Sequence, residues 1–409
     1  MSFQQGLSGL RSASTSLDTI GNNIANSGTV GFKSSSTLFS DVFAASLGGG
    51  NQVGIGVSVG GISQQFTQGN LTTSNNPLDI AINGQGMFRL NNNGAITWTR
   101  NGQFNIDKDG FVVNTSGARL TGYLANAANI IVPSTPADIF INTADLQPQP
   151  TGGLTGTGPG VKIGLNLDSR QLPPTTSPFN ENDPLTYNSS TSATVYDSLG
   201  NAHLLSMYFV KTGANAWNVY SNLNGGLASV PTVLTFSPTG ALTAPATGII
   251  SQTHAVTTGA TTPLAFNLNL TGSTQYGNIF GVNSVSQDGY TSGRLAGLSV
   301  SSDGTVQGRY SNGQTRDLAQ VVLGNFNNPN GLTSLGGNQW GETADSGQPL
   351  IGVPGSGSLG VLQSAAIEES NVDLTAELVN MITQQRAYQA NAQTIKTQDQ
   401  VLQTLVNLR

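Results

Sequence analysis

The final stretch of this chain carries an apolar side chain at every seventh position, and the first stretch repeats the pattern. The apolar positions of the final stretch are Ile367, Leu374, Met381, Tyr388, Ile395 and Leu402. Those of the first stretch are Phe3, Leu10, Leu17 and Ile24. A seven-residue apolar period is typical of helices that pack along a shared seam. Because the two halves of this seam lie at opposite ends of a 409-residue chain, the pattern predicts termini paired as one helical stem.

Each terminal stretch has the pattern of a single helix. Residues 1–26 form an amphipathic pattern that also includes Leu7 and Ile20. Gly6, Gly9 and Gly21 weaken this helix by about 1 kcal/mol each relative to alanine. Residues 361–409 contain neither glycine nor proline, and Ser370 with Asp373 is a candidate capping pair. A helix over 371–408 would be about 57 Å long.

The chain between the two helices has the pattern of β-structure. Residues 78–82 alternate between apolar and polar, and Asn-Gly and Asp-Gly dipeptides punctuate the short apolar runs that follow. Residues 161–167 and 264–270 place an apolar side chain at every second position. The sequence therefore predicts an α+β fold that is mainly β, with long terminal α-helices paired as a stem and nested, discontinuous β-domains.

The order of these segments predicts four parts, three of which are built from two separate stretches of chain. The helical stem comprises 1–26 with 364–409. An extended connector comprises 27–70 with 352–363. An inner β-domain comprises 71–146 with 291–351, and an outer β-domain, 147–290, is inserted into it. The boundary at 147–160 rests on a stretch rich in proline, glycine and threonine, and 352–360 is a glycine-rich link.

Composition excludes several classes of protein. Charged residues make up only 9% of the chain, and its 15 lysines and arginines never form a run, which argues against a nucleic-acid partner. No apolar stretch is long enough to span a membrane. Without cysteine there are neither disulfides nor thiolate metal sites. No secretory signal is evident, so we expect a cytosolic protein or one exported without a cleaved signal peptide.

No catalytic, cofactor or metal site is predicted. The two histidines, His203 and His254, are far apart in sequence, and we expect surface or half-buried strand positions for them. Residues 107–110 have the composition of a calcium loop, but Ala118 stands where its bidentate glutamate is needed, so they are interpreted as a turn. Residues 28–34 end like a phosphate loop but place Phe32 where the second glycine is required.

Several stretches resemble the flagellar rod and hook protein family. Residues 22–33 (NNIANSGTVGFK, which includes Thr29 and Lys33) are similar to its N-terminal signature, and residues 370–396 (SNVDLTAELVNMITQQRAYQANAQTIK) to its C-terminal signature. Residues 77–86 (PLDIAINGQG) resemble its shared first-domain segment. Within the extra inserted region, residues 193–200 (ATVYDSLG) resemble the hook members.

The resemblance implies a structural subunit of the bacterial flagellar hook. Such subunits polymerise into a curved, flexible tube, a universal joint that transmits torque from rod to filament and encloses the export channel. The implied partners are further copies of the chain, the distal rod protein, the hook cap, the hook–filament junction protein and the flagellar type III export apparatus. The implied location is the hook, outside the cell, after export without a cleaved signal peptide. No cofactor and no enzymatic activity are implied.

Two sets of residues follow from the apolar pattern and the resemblance. The predicted polymer-interface residues are Phe3, Leu7, Leu10, Leu17, Ile24, Ile367, Leu374, Leu378, Met381, Tyr388, Ile395 and Leu402. The family-signature residues are Asn22, Asn23, Ala25, Asn26, Gly31, Phe32, Asn371, Asp373, Arg386 and Asn391. Arg386 either pairs with a neighbouring subunit or is a solvated charge that faces the channel.

Two alternatives stay open at this level. The distal rod protein of the same family is similar at both ends but is shorter, with one globular domain. A secreted adhesive or carbohydrate-binding β-protein would suit the serine-, threonine- and asparagine-rich composition. It would leave the two terminal seams unexplained.

Overall fold

The computed structural model describes residues 2–42, 54, 56–126 and 129–407. Two terminal helices flank a chain that is otherwise mainly β-structure, which confirms the predicted fold class. Two compact units are present. The first comprises Met1–Thr143, Gly297–Arg309 and Thr315–Arg409, and the second comprises Ala144–Ala296 and Tyr310–Gln314.

The helices lie at the two ends of the chain, and the strands lie between them. The helices are α1 (Ser2–Ala25) and α2 (Leu374–Asn407). The first ten strands are β1 (Ser35–Val42), β2 (Gly56–Gln64), β3 (Leu71–Thr73), β4 (Ile80–Asn83), β5 (Met87–Asn92), β6 (Ala95–Thr99), β7 (Phe104–Ile106), β8 (Val112–Asn114), β9 (Arg119–Leu124) and β10 (Ala137–Asp138). The next ten are β11 (Val161–Asp168), β12 (Ser189–Tyr196), β13 (Ala202–Gly213), β14 (Ala216–Leu223), β15 (Thr232–Phe236), β16 (Leu242–Ala244), β17 (Ile249–His254), β18 (Leu264–Asn269), β19 (Thr274–Tyr276) and β20 (Gly281–Gln287). The last are β21 (Leu295–Val300), β22 (Thr305–Tyr310), β23 (Thr315–Val321), β24 (Leu323–Asn325), β25 (Thr333–Gly336), β26 (Gln339–Gly341), β27 (Leu350–Gly352), β28 (Val361–Ser364) and β29 (Ala366–Glu368). Short 3₁₀ turns occupy Pro184–Thr186 and Pro329–Gly331.

The C-terminal helix begins later than the start of the predicted stem at 364. Residues 361–368 form strands instead, because β28 pairs antiparallel with β4 and β29 with β3. Ile367 is therefore a strand residue opposite Thr72, and its place in a helical seam was predicted wrongly. Asp373 caps α2 by accepting hydrogen bonds from the backbone N–H groups of Thr375 (2.9 Å) and Ala376 (3.1 Å).

The predicted partner of Asp373 in that cap, Ser370, has another role. Its hydroxyl accepts a hydrogen bond from the backbone N–H of Val372 at 3.3 Å, ahead of the helix. The capping pair was therefore wrong in one member. Asp373 alone satisfies two of the backbone donors that a helix start leaves without partners.

The predicted extended connector contains regular structure. Strands β1 and β2 pair antiparallel from Ser35 opposite Gln64 to Val42 opposite Gly56. This ribbon lies against α1, where the hydroxyl of Thr37 is 3.0 Å from that of Thr19. The hairpin was not predicted because glycines interrupt the strand pattern of β2. An isolated two-stranded hairpin is marginally stable in water, so packing against α1 supports the ribbon.

The body of the first unit is one large sheet. Its main path runs β21-β22-β23-β9-β5-β6-β26-β25. Strands β5 and β6 form a hairpin through the predicted Asn93-Gly94 turn, whose two residues have φ of 53° and 97°. Strand β4 departs from the predicted alternation, because Ile80, Ala81 and Ile82 are all buried and both faces of the strand are covered.

The second unit contains two five-stranded sheets. One is the antiparallel meander β12-β13-β14-β15-β16, and the other runs β17-β18-β11-β19 with β20 paired to β11. The predicted alternation is confirmed in β11 and β18, where Ile163, Leu165, Phe266 and Leu268 are buried. These side chains form one apolar core with those of the meander, such as Trp217.

Candidate assembly interface

The two terminal helices approach each other closely at glycines of α1. A Cβ placed on Gly6 would lie 3.1 Å from Cγ1 of Ile395, and one placed on Gly9 would lie 2.8 Å from the side-chain amide of Asn391. The glycines that weaken α1 as an isolated helix are therefore the positions at which α2 packs against it. A residue without a side chain permits this approach at the cost of helix propensity.

A buried asparagine holds the other end of the helix pair. The side-chain Nδ2 of Asn23 donates to Oε1 of Glu377 in α2 (3.1 Å) and to the carbonyl of Ser35 (2.8 Å). Its Oδ1 accepts from the backbone N–H of Ser35 at 2.9 Å. The same number of residues separates Gly9 from Asn23 as separates Glu377 from Asn391, so the helices run antiparallel in register.

The predicted polymer-interface residues differ in exposure, and none of them is fully buried. The half-buried ones are Leu7, Leu10, Leu17, Ile24, Ile367, Met381 and Ile395. The exposed ones are Phe3, Leu374, Leu378, Tyr388 and Leu402. The buried positions of α1 are mostly small or polar instead: Gly6, Ser12, Ala13, Ser16, Thr19, Ile20 and Asn23. Within the subunit, the side of α1 that packs against α2 and the β1–β2 ribbon thus consists mostly of small or polar side chains.

An apolar stripe on α2 is left uncovered. Leu374, Leu378 and Ile382 follow one another at intervals of four residues, which places them along one side of the helix. They are 45%, 46% and 51% exposed. Leu378 follows Glu377 by one residue, so the stripe is displaced by roughly 100° around the helix from the side that meets α1. This stripe is therefore a candidate interaction surface.

Asn371 connects the approach to α2 with the stretch that follows α1. Its Oδ1 accepts from the backbone N–H of Ser34 (2.7 Å). Its Nδ2 donates to the carbonyl of Gln65 (2.7 Å) and lies 3.0 Å from the hydroxyl of Thr67. The signature residue thus bridges three chain segments with one side-chain amide.

The remaining signature residues are less strongly held. Asn26 donates from Nδ2 to the carbonyl of Asn22 at 3.0 Å, at the end of α1. Gly31 has φ of +72°, and a Cβ there would lie 2.6 Å from the backbone nitrogen of Asn101. Phe32 is half-buried.

Four signature positions, Asn22, Ala25, Asp373 and Arg386, are exposed. The exposure of Arg386 fits both roles predicted for it. Its pairing with a neighbouring subunit stays a prediction.

Sequence reasoning missed a buried charge cluster in the first unit. Lys33, Arg100 and Glu368 have side chains that are at most 4% exposed. Nζ of Lys33 lies 2.6 Å from Oε1 of Glu368, and Nε of Arg100 lies 3.3 Å from Oε2. The scarcity of charge in this chain was the available signal, because a glutamate beside Ala366 and Ile367 in a strand pattern requires a partner.

Burial sets the electrostatics of this cluster. Loss of solvent lowers the pKa of Lys33, the Glu368 carboxylate opposes that shift, and the nearby Arg100 adds to it. Burial likewise lowers the pKa of Arg100, again opposed by Glu368. The guanidinium also donates to the carbonyls of Gly84 and Gly86, at 2.9 Å each.

The two histidines lie in strands of the second unit, as predicted, but both are buried, so the predicted surface or half-buried exposure was wrong. Nε2 of His203 is 3.0 Å from Oδ2 of Asp197, and Nδ2 of Asn224 donates to Nδ1 at 2.8 Å. Because Oδ1 of Asn224 is held by the backbone N–H of Leu204, this amide must donate, and His203 carries its proton on Nε2. His254 instead stacks on Phe266.

Asp197 and His254 have shifted pKa values. Burial alone would raise the pKa of Asp197, but hydrogen bonds from His203, Thr258 and Asn201 outweigh burial and lower it. Burial lowers the pKa of His254. Within the described ranges, no group of three or more histidine, aspartate or glutamate side chains is placed to hold a metal ion.

Four family models match successive parts of the chain. The model for the flagella basal body rod protein matches residues 3–33, and that for the D1 domain of the flagellar hook protein FlgE/F/G matches 81–145. The D2 domain of the flagellar basal body protein FlaE matches 166–290, and the C-terminal model of the flagellar basal body rod FlgEFG protein matches 363–408.

Full-length relatives decide the family. The flagellar hook protein FlgE of Escherichia coli strain K12 is 44% identical, with all of both chains covered. That of Salmonella typhimurium strain LT2 is 45% identical, again with both chains covered in full. The chain belongs to the flagellar hook protein family. A more distant hook protein, from Borreliella burgdorferi, is 33% identical over all of this chain and 99% of its own length.

Members of this family are structural subunits of the flagellar hook, and this chain is one of them. The family is one of structural proteins and not of enzymes. Membership of it supports self-polymerisation of this chain in the flagellar basal body and hook. The crystal structure of Helicobacter pylori flagellar hook protein FlgE2 shares the fold, with a TM-score of 0.52, 15% identity, and coverage of 71% of this chain and 99% of that one. Neither described helix is long and apolar enough to cross a membrane.

Proposed function

We propose that this hook subunit assembles through its terminal helices and that the exposed stripe of α2 is covered by neighbouring copies. The uncovered side chains of Leu374, Leu378 and Ile382 carry this proposal. Burying one such side chain fully contributes about 1.5–3 kcal/mol, so a stripe of three supplies a substantial part of one subunit contact. The predicted interface residues Phe3, Tyr388 and Leu402 are further exposed apolar side chains, which we expect neighbouring copies to cover as well.

The resulting polymer is a curved, flexible tube that transmits torque from rod to filament and encloses the export channel. The subunit reaches the tube through the flagellar type III export apparatus, without a cleaved signal peptide, and functions outside the cell. The hook cap supports its addition, the distal rod protein lies below the tube, and the hook–filament junction protein lies above it. No catalytic step is part of this function.

Four parts of the chain contribute to the tube. The stem, α1 with α2, forms the core of the polymer, and 27–70 with 352–363 connects it to the inner β-domain, 71–146 with 291–351. The outer domain, 147–290, forms the layer that slides during bending. A chain that lacks 147–290 should therefore still form tubes, but straight ones. Loss of all assembly on this deletion would contradict the role given to the outer domain.

Substitution within the α2 stripe tests the assembly surface. Leu378→Asp and Ile382→Asp place a charge on the surface that neighbouring copies would bury, so each should abolish hooks in cells that lack their own hook protein. Leu227→Asp is the matched control, because Leu227 is 96% exposed in the second unit. Hooks are counted by electron microscopy. Normal hooks from both stripe variants would refute the proposed surface.

The terminal helices also regulate when assembly begins. An α-helix with an uncovered apolar stripe and a glycine-containing partner gains little stability alone, so both ends should be disordered in the dilute free subunit. This would suit passage through a narrow channel and would prevent early assembly. Limited proteolysis of dilute subunit should remove residues 1–25 and 371–409 first. Protease resistance of both segments would contradict this expectation.

A further inference from the structure

Glu368 joins four separate segments of the chain through one buried carboxylate. Its Oε1 accepts from Nζ of Lys33 (2.6 Å) and from the backbone N–H of Gly69 (2.8 Å), while Oε2 faces Arg100 at 3.3 Å. Its backbone carbonyl accepts from the N–H of Gly31 at 2.8 Å. The stretch that follows α1 and the strand that leads into α2 therefore meet the large sheet of the first unit at one residue, Glu368.

The neighbouring contacts extend this junction. Nζ of Lys33 also donates to the carbonyl of Thr67 at 2.7 Å, and Asn371 binds the same residue. Arg100 is anchored in turn to backbone carbonyls beside β5. Each charged group has partners from at least two segments, so the cluster is complete only when the segments lie in one arrangement.

Holding such a junction together with buried charges carries a large desolvation penalty. Burying ions removes their hydration, and an apolar replacement of similar volume is often as stable as a buried ion pair. Apolar side chains, however, pack acceptably in several registers, whereas a carboxylate between two cations with fixed backbone donors does not. Buried ionic groups of this kind serve best where one geometry must be selected.

We propose that Glu368, with Lys33 and Arg100, is a positioning residue that fixes the helical stem to the inner β-domain so that assembled subunits present their helices in one register. This inference rests on the proposed assembly through the stem. It adds that stem direction within each subunit is set by charge at this junction and not by the apolar seam. The exposed stripe of α2 is free to bind neighbours because the junction already orients the helix that carries it.

The test compares two adjacent glutamates in full-length chains expressed in cells that lack their own hook protein. Glu368→Gln leaves Lys33 and Arg100 buried without a counter-charge and should reduce the number of complete hooks about tenfold or more. Glu369→Gln is the matched control, because Glu369 is exposed and its Oε2 only meets Asn70 at 3.3 Å. Hooks are counted and measured by electron microscopy of isolated hook–basal bodies.

A second variant separates positioning from stability. The triple variant Lys33→Met, Arg100→Met, Glu368→Met replaces the cluster by apolar chains of similar length, and its β-units should melt within a few degrees of the unmodified protein. We expect it to be folded and still to give few or irregular hooks. Normal hooks from this variant, or from Glu368→Gln, would overturn the proposal. Equal loss of hooks from Glu369→Gln, or collapse of the β-unit melting transition in Glu368→Gln, would overturn it as well.

The unmodified chain distinguishes this proposal from the assembly function itself. If the unmodified chain restores hooks and Glu368→Gln does also, only the positioning role fails. If the unmodified chain forms no hooks, the proposed assembly function fails, and the positioning role fails with it.

Discussion

Replacing a single glycine by alanine separates the two roles of glycine in α1. A Cβ at Gly9 would lie 2.8 Å from Nδ2 and Oδ1 of Asn391, whereas a Cβ at Gly21 would meet nothing within 4 Å. Both substitutions add the same atom to the same helix. Only the one at Gly9 adds it between the two helices.

The magnitudes predict different outcomes for the two variants. Each substitution gains about 1 kcal/mol of helix propensity. At Gly9 this gain is offset by an overpacking cost of about 1–3 kcal/mol, because the added atom forces the Asn391 side chain or the whole of α2 to move. Gly21→Ala should therefore stabilise the stem by about 1 kcal/mol, and Gly9→Ala should leave it unchanged or destabilise it by up to about 2 kcal/mol.

Thermal dissociation of purified hooks, followed by helical circular dichroism, measures the difference. Gly21→Ala should raise the midpoint temperature, and Gly9→Ala should lower it or leave it unchanged. Trimming Asn391 to alanine in the Gly9→Ala background should recover most of the loss, because the obstructing amide is removed. Equal midpoints for the two glycine variants would refute this reasoning, as would failure of the Asn391 substitution to restore stability.

Three further predictions concern local chemistry. Asp197→Asn should destabilise the second unit by about 2 kcal/mol at neutral pH, since hydrogen bonds to a charged group contribute about 1.5–3 kcal/mol. Because the pKa of Asp197 is lowered in the folded state, this contribution is present above the unfolded value of 3.8 and is lost as the pH falls. The free energy of urea unfolding of the native chain should therefore be lower near pH 3 than at pH 7, and the difference should be smaller for the variant. The pKa of His254 is also lowered in the folded state, so stability is highest above the unfolded value of 6.5 and falls as the pH drops below it. In His254→Phe, the urea midpoint should therefore change less between pH 7 and pH 5 than in the native chain. Gly31→Ala should lower the melting temperature of hooks more than Gly94→Ala, because both positions have positive φ but only Gly31 has a neighbour in the way, with Asn101 2.6 Å from its added Cβ.

Much of the fold could be predicted from local pattern. The alternation in β11 and β18, the Asn93-Gly94 hairpin and the end of α1 near Asn26 all depend on neighbouring residues, which a single sequence displays directly. The β1–β2 ribbon could not be found in this way. Three glycines interrupt the pattern of β2, and the ribbon packs beside α1, which is distant in the pattern but adjacent in space.

The candidate assembly interface likewise has features that the sequence predicts and features that only the structure shows. The heptad pattern predicted both helices and their pairing, and the family signatures indicated Asn23, Asn371 and Asn391; the antiparallel direction of the pair came only from the structure. The heptad pattern did not indicate which face of α2 meets α1. That face is set by Gly6 and Gly9, and a sequence pattern displays glycine only as a weakness of the helix.

The sequence by itself determined that this is a mainly β protein with a helix at each end that carries periodic apolar positions, because periodicity and turn chemistry act over a few residues. Only the tertiary structure decided where the C-terminal seam begins, since β29 takes Ile367 out of the helix by pairing with β3. It likewise decided that Lys33, Arg100 and Glu368 meet. The physical reason is that a buried charge is tolerated only where partners converge, and convergence of residues this far apart in sequence is a property of the folded chain.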